Sequence, residues 1–181
     1  MIASEAERLI TKYSQALDVK QPKLSIKRKM QGCMYNAITH RIVAGEDLLA
    51  APDAALTVTL AHEVGHASQR REILFELVTP LTGIAVWVIT SAVLWAIEDP
   101  HPILQMLTFF GVLPLFLYGL SRWRNGFEVR YVERELRADA ISASQCGASA
   151  ALSLLRTFDR GEGTSSEIRS RLEQLEALCE V

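Results

Sequence analysis

His62-Glu63-Val64-Gly65-His66 sets two imidazoles four residues apart, with a carboxylate directly after the first. On an α-helix that spacing puts both rings on one face, one turn apart, so both can offer a nitrogen to the same metal ion. Two such histidines suit a tetrahedral zinc centre. Glu63 is rotated about 100° from His62, as 3.6 residues per turn requires, and so reaches a water on the metal rather than the metal itself. This is the layout of a metal-assisted hydrolase with Glu63 as general base. The competing reading is a solvent-facing helix that happens to carry two histidines. Against it, Leu56, Val58, Leu60, Ala61 and Val64 surround the motif, so its polar groups are partly desolvated and need partners.

A catalytic zinc takes three protein ligands and keeps one position open. Of the remaining histidines, His40 falls on a strand and His101 in a connector between apolar segments, so a carboxylate is the expected third ligand. Glu135, in Glu135-Leu136-Arg137-Ala138-Asp139, is the best placed. Asp139 follows one turn later on the same face, where it can orient a zinc-bound histidine through the second ring nitrogen. Small Ala138 permits close helix approach. Alternatively, Glu133 and Glu135 among Arg130, Arg134 and Arg137 form a solvated charged face. Tyr131 is a candidate oxyanion donor.

The pattern around these residues predicts an α+β domain, mostly helical, with a small antiparallel sheet. Ala6, Leu9, Ile10, Tyr13 and Leu17 recur at helical spacing, so an amphipathic helix should end before Pro22. Leu24 and Ile26 alternate with polar residues, and short β-branched and aromatic runs cover residues 33–39 and 41–44, which predicts three strands. Pro52-Asp53 predicts a helix start capped by Asp53, with the motif helix running from Ala54 to about Arg71. Further helices are expected over residues 127–144 and 148–158, and a last one marked by Ile168, Leu172, Leu175 and Leu178. The strand near Ile42 and Val43 is expected to pair with an extended substrate by β-augmentation.

Two uncharged segments, 21 residues at 77–97 and 20 residues at 102–121, interrupt this domain. Each is long enough to cross a hydrocarbon core, which takes about 20 helical residues. The short connector Glu98-Asp99-Pro100-His101 makes them a transmembrane helical hairpin inserted into one domain spanning residues 1–181. Arg70 and Arg71 precede the hairpin and Arg122 and Arg124 follow it, while the connector has no Lys or Arg. The positive-inside rule therefore puts the catalytic domain and both termini in the cytoplasm. A pair of buried core helices is the rival reading, but two helices apolar all round leave too little chain to cover them.

Composition narrows the class. A formal net charge of −2 and a pI of about 6.1 argue against a general nucleic-acid binder, which needs a concentrated basic face. All the lysines lie between Lys12 and Lys29, which reads as a solvated surface. The 3 cysteines have no ligand spacing and suit a reducing compartment. Met1 is followed by a polar stretch, so no cleavable signal peptide is expected.

With both motifs and the intervening apolar pair, the chain resembles the M48 family of zinc metallopeptidases, and within it the HtpX-like membrane proteases. That family carries HExxH and, downstream, E-x-x-A-D, matched here by residues 62–66 and 135–139. Tyr35-Asn36-Ala37-Ile38 resembles its Asn-Ala strand motif, and Ile168-Arg169-Ser170-Arg171-Leu172 its terminal helix. The resemblance implies a zincin-like fold and one catalytic Zn²⁺ on His62, His66 and Glu135. It also implies polypeptide substrates, misfolded or membrane proteins among them, bound near Asn36 and Ala37, and residence in a bacterial inner or cell membrane. Departures are Ala140 in place of the family's Arg, Thr164-Ser165-Ser166 in place of its His-Pro, and no counterpart of two initial transmembrane helices. The last of these, the missing initial helices, gives weight to a second reading, a catalytically inactive membrane adaptor retaining a structural zinc site. A third reading is a soluble protein whose hairpin packs into a dimer.

Overall fold

The computed structural model describes residues 2–96, 102–107, 113–159, 161 and 164–180. In chain order its elements are α1 (Ile2–Ala16), β1 (Lys23–Lys27), β2 (Cys33–Asn36), β3 (Arg41–Gly45), α2 (Glu46–Leu49), α3 (Asp53–Ser68), α4 (Arg70–Ala96), α5 (Pro102–Leu107), α6 (Leu113–Cys146), α7 (Ala148–Arg156) and α8 (Ser166–Cys179). They divide into two compact units. One comprises Met1–Arg71 with Val132–Val181, the other Glu72–Tyr131.

In the first unit, α1 presents Ala6, Leu9, Ile10 and Tyr13 at helical spacing, all buried, against Leu60, Ala61 and Val64 of α3. Ile42 and Ala44 complete this core from the sheet. A second core joins Val58 of α3 to Ala143 of α6, to Ala151, Leu152 and Leu155 of α7, and to Leu175 of α8. α3 therefore lies between two apolar layers, which explains why it lacks a clean polar face. Burying each large aliphatic side chain stabilises the fold by about 1.5–3 kcal/mol.

The sheet is small, as expected, but mixed rather than antiparallel. Its order is β1-β3-β2, with β1 parallel to β3 and β2 antiparallel to it. Alternation in the sequence identifies strands without naming their partners. Here Ile42 and Ala44 are fully buried, so the strand that carries them takes the centre; since the chain reverses twice between β1 and β3, those two run the same way. The start of α3 also differs from expectation. Pro52 is its N-cap and makes no side-chain cap hydrogen bond, while Asp53 is the first helical residue, where its charge suits the positive end of the helix dipole.

In the second unit, most of α4 lies beside the first part of α6. The Glu76 carboxylate accepts from Arg130 Nε at 2.6 Å, while further along α4 the Trp87 ring stacks on Phe116, with centroids 6.3 Å apart. Higher numbers on one helix thus meet lower numbers on the other, which is the antiparallel sense of a hairpin. The expected connector, residues 98–101 with His101, and residues 108–112 of the second apolar segment lie outside the described residues. α6 also runs further than expected, its apolar part continuing into the charged helix of residues 127–144 without interruption. Among the described residues one helix segment, Arg70–Val93, is long and apolar enough to cross a membrane, and only 6% of its apolar window is buried. Phe75 is 74% exposed and Ile89 61%, so this is no core helix of the kind the rival reading requires.

Candidate metal centre

α3 delivers His62, Glu63 and His66, and the part of α6 within the same unit delivers Glu135 and Asp139. The helices meet through their smallest residues. A Cβ on Gly65 would lie 3.1 Å from Cα of Ala138, so the close approach expected of Ala138 is made against a glycine. Gln69, at the end of α3, donates its side-chain amide to the Arg134 carbonyl at 3.1 Å, which fixes the crossing from a second point.

This crossing brings His62, His66 and Glu135 together, with one ligand-type atom of each within 4.8 Å of the others. The Nε2 atoms of the two histidines are 3.1 Å apart. His62 Nε2 is 3.3 Å from Glu135 Oε2, and His66 Nε2 is 3.2 Å from Glu135 Oε1. In a tetrahedral site with metal–nitrogen bonds of about 2.0–2.1 Å, two nitrogens are separated by about 3.3 Å. The converging nitrogens and the carboxylate between them therefore fit one small cation, and a donor set of two imidazoles and one carboxylate suits zinc.

Asp139 lies where a histidine-orienting carboxylate belongs, its Oδ1 accepting from His62 Nδ1 at 2.9 Å. That leaves His62 Nε2 directed at Glu135. Burial alone would lower the basicity of His62, but hydrogen bonds to Asp139 and then Glu135 outweigh it and raise its pKa to about 9. The carboxylates around His62 thus favour positive charge at this point of the cluster. Burial acts to raise Glu135, yet hydrogen bonds from His62 and His66 keep its carboxyl well below the usual range. Glu135 is only 8% exposed and Arg134 6%, so these two do not belong to a solvated face, whereas Glu133 and Arg137 beside them are exposed.

Glu63 has a different environment. It is 6% exposed, and burial pushes its carboxyl above the usual carboxylate range, although His62, His66 and the backbone N–H of Tyr35 all favour the charged form. It lies beside the group of His62, His66 and Glu135 and is not one of its three members.

Arg171 on α8 is the residue to which the motifs assigned no role. Its Nε donates to Asp139 Oδ2 at 2.6 Å and its Nη2 to Asp139 Oδ1 at 2.9 Å, while Nη1 lies 3.0 Å from Glu135 Oε2. One guanidinium therefore holds the Glu135 and Asp139 carboxylates together. The sequence contained a signal: Ile168, Leu172 and Leu175 mark the apolar stripe of this helix, and Arg171 falls on that stripe, where a charge needs a buried partner.

The sheet corrects the expected substrate strand. Ile42 and Val43 belong to β3, which is paired on both sides, and Ile42 is fully buried. A central strand has no free backbone groups to offer a peptide. Asn36 and Ala37 lie at the end of β2 and serve its turn, Asn36 Oδ1 accepting from Thr39 N–H at 2.9 Å and the Ala37 carbonyl from Arg70 Nε at 2.8 Å. His40 takes no part in the cluster, being bonded to Tyr35 Oη and the Lys20 carbonyl. Tyr131 falls in the other unit. A cleft of about 590 Å³ opens over His62, Glu63 and Glu135, with Gln31, Gly32 and Cys33 on its wall.

Comparison with family models, with curated proteins and with solved structures gives no match.

Proposed function

We propose that the protein is a zinc-dependent metalloendopeptidase of the M48 kind, zincin-like in fold and anchored in a membrane, acting on polypeptides at the cytoplasmic side. The observation that carries this reading is the convergence of His62, His66 and Glu135 with the buried Glu63 carboxylate beside them. Those three residues would hold one Zn²⁺. When bound, the ion supplies Lewis-acid chemistry, bringing the pKa of a water to about 7 and polarising a carbonyl.

Glu63 removes a proton from the attacking water onto a carboxylate oxygen and delivers it to the departing amide nitrogen. Asp139 keeps the Nδ1–H of His62 engaged, so that Nε2 stays aimed at the metal position. Arg171 balances the two carboxylates and fixes their separation. An extended substrate lies beside β2 instead of β3, at Gln31, Gly32 and Cys33, which line the cleft that holds Glu63.

Anchoring by a transmembrane hairpin is supported by the exposed apolar surface of α4 and by the arginines flanking the hairpin. Misfolded or membrane-derived chains, in a bacterial inner or cell membrane, are the substrates this placement suits. The test is cleavage of an unfolded protein by the detergent-solubilised full chain, first stripped with a chelator and then titrated with zinc. Turnover should return as occupancy approaches one ion per chain. Full occupancy without turnover would replace the peptidase with the adaptor.

A further inference from the structure

The stretch that builds the sheet is unlike the rest of this slightly acidic chain. From Val19 to Gly45 it has no Asp or Glu but holds Lys20, Lys23, Lys27, Arg28, Lys29 and Arg41. Among the described residues only Arg28 of these forms an ion pair, with Glu46 at 3.5 Å.

Topology gathers half of this charge at one end of the sheet. Lys23 of β1 pairs with Arg41 of β3, and cross-strand neighbours project from the same face. Lys20 joins them through the turn that precedes β3. Its carbonyl accepts from His40 Nε2 at 3.0 Å, while the His40 carbonyl accepts from the Lys23 N–H at 3.2 Å. Lys20, Lys23 and Arg41 are all exposed. Between them the turn of residues 37–40 is fixed by its bonds to Asn36, Lys20 and Arg70, and it leaves Ile38 64% exposed. Cations around a bare aliphatic side chain suit an anionic lipid surface, where the cations meet headgroups and the apolar group reaches the acyl boundary.

The position of the turn agrees with its composition. Arg70, which donates to the Ala37 carbonyl, is also the first residue of α4 and of the apolar span Arg70–Val93. The turn is therefore bonded to the residue at which the chain passes into its apolar segment. Exposed Arg71 adds a further cation at that point.

Resting on the membrane-anchored reading above, but not on peptidase activity, we infer that the 37–40 turn, with Lys20, Lys23 and Arg41, is a contact site for anionic phospholipid headgroups. The cations bind the headgroup phosphates and Ile38 enters the apolar boundary. A lipid surface is the occupant rather than an acidic peptide, because the anchor keeps the negatively charged leaflet beside Arg70 at all times. The contact gives the domain a second hold on the membrane, at the end of the strand that reaches the cleft at Cys33.

The full chain is to be reconstituted in nanodiscs of phosphatidylcholine, with or without phosphatidylglycerol, and treated with a lysine-acylating reagent read residue by residue by mass spectrometry. Lys20 and Lys23 should react about fivefold more slowly in the anionic discs, the gain that one cation draws from such a surface. Lys12 on α1 and Lys29, beyond the other end of β1, should change far less. Protection should fade at about 1 M salt, where the screening length falls to about 3 Å. Ile38→Asp and Arg41→Glu, both at exposed positions, should each remove most of it. Equal reactivity of Lys20 and Lys23 in the two kinds of disc overturns the contact while keeping the anchor, and so does protection that both variants retain. Protection by added polyglutamate in neutral discs, with none from phosphatidylglycerol, assigns the surface to an acidic peptide instead. A chain left outside the discs removes the anchor and the contact with it. Labelling needs no turnover, so the outcome is independent of whether the chain cuts.

Discussion

Gly65 on α3 faces Ala138 on α6 so closely that a Cβ at position 65 would lie 3.1 Å from Cα of Ala138 and 3.3 Å from its Cβ. Gly65 stands directly before His66, and Ala138 directly before Asp139. The distance between backbones at this crossing therefore sets the distance between the imidazoles and Glu135. In Gly65→Val the helices must separate, and overpacking of this kind costs about 1–3 kcal/mol. A lower melting temperature and weaker zinc binding in competition with a chelator are expected together. Zinc affinity equal to wild type would show that the crossing does not position the ligands.

Arg171 should matter more than its place on a terminal helix suggests. Arg171→Met leaves Asp139 and Glu135 as neighbouring buried carboxylates without their shared cation, and breaking a buried ion pair on one side costs about 3–5 kcal/mol. The loss should be largest in the metal-free protein, since a bound cation replaces part of the missing charge. Thermal melts with and without zinc check this, and a variant as stable as wild type without zinc would contradict it. Asp139→Asn, which keeps the shape but weakens the hold on His62, should lower zinc affinity about 10–100-fold.

The parts legible in the sequence were those in which local spacing decides the outcome. His62, Glu63 and His66 share a helix, so their relation needed no tertiary information, and Glu135 with Asp139 repeated the same logic on α6. The order of strands was not legible. Placing β3 between β1 and β2 depends on which strand buries Ile42 and Ala44 against α3, a long-range choice that alternation along the chain does not encode. Arg171 was visible only as a charge on an apolar stripe, and its partners lie 32 and 36 residues away in sequence. The continuity of α6 was hidden for another reason, because its composition changes from apolar to charged midway while the backbone stays helical.

His40 provides a pH signature outside the metal centre. The Lys20 carbonyl can only accept, so Nε2 carries the proton, and Nδ1 takes the Tyr35 hydroxyl at 2.7 Å. Burial, aided by the nearby charges of Arg70 and Lys20, lowers the pKa of His40 despite its bond to the Lys20 carbonyl. The neutral ring is thus favoured in the folded state. Its contribution to stability is complete above the unfolded value of about 6.5 and declines as pH falls through that value toward the lower folded one. Between pH 7.5 and 5.5 the wild type should lose more melting temperature than His40→Gln. An equal loss in both proteins would contradict this account of the turn.

Membrane anchoring predicts a fractionation result. The full chain should stay in the membrane pellet after alkaline carbonate washing and leave it only with detergent. Replacing Ile84, Val88 and Ile89, all exposed on α4, by glutamate should release it, because charge at the centre of a spanning helix costs about 2.5–3.5 kcal/mol per residue. Recovery of the wild type from the soluble fraction without detergent would favour the soluble dimer.

Glu63→Gln tests the central claim most directly, since it removes the base while leaving His62, His66 and Glu135 in place. Zinc content per chain and cleavage of an unfolded protein are to be measured on the same preparations of wild type and variant. The account predicts equal zinc content and a loss of turnover of at least about 10²-fold, the lower range for a positioned general base. Turnover retained in Glu63→Gln at full zinc occupancy would contradict it.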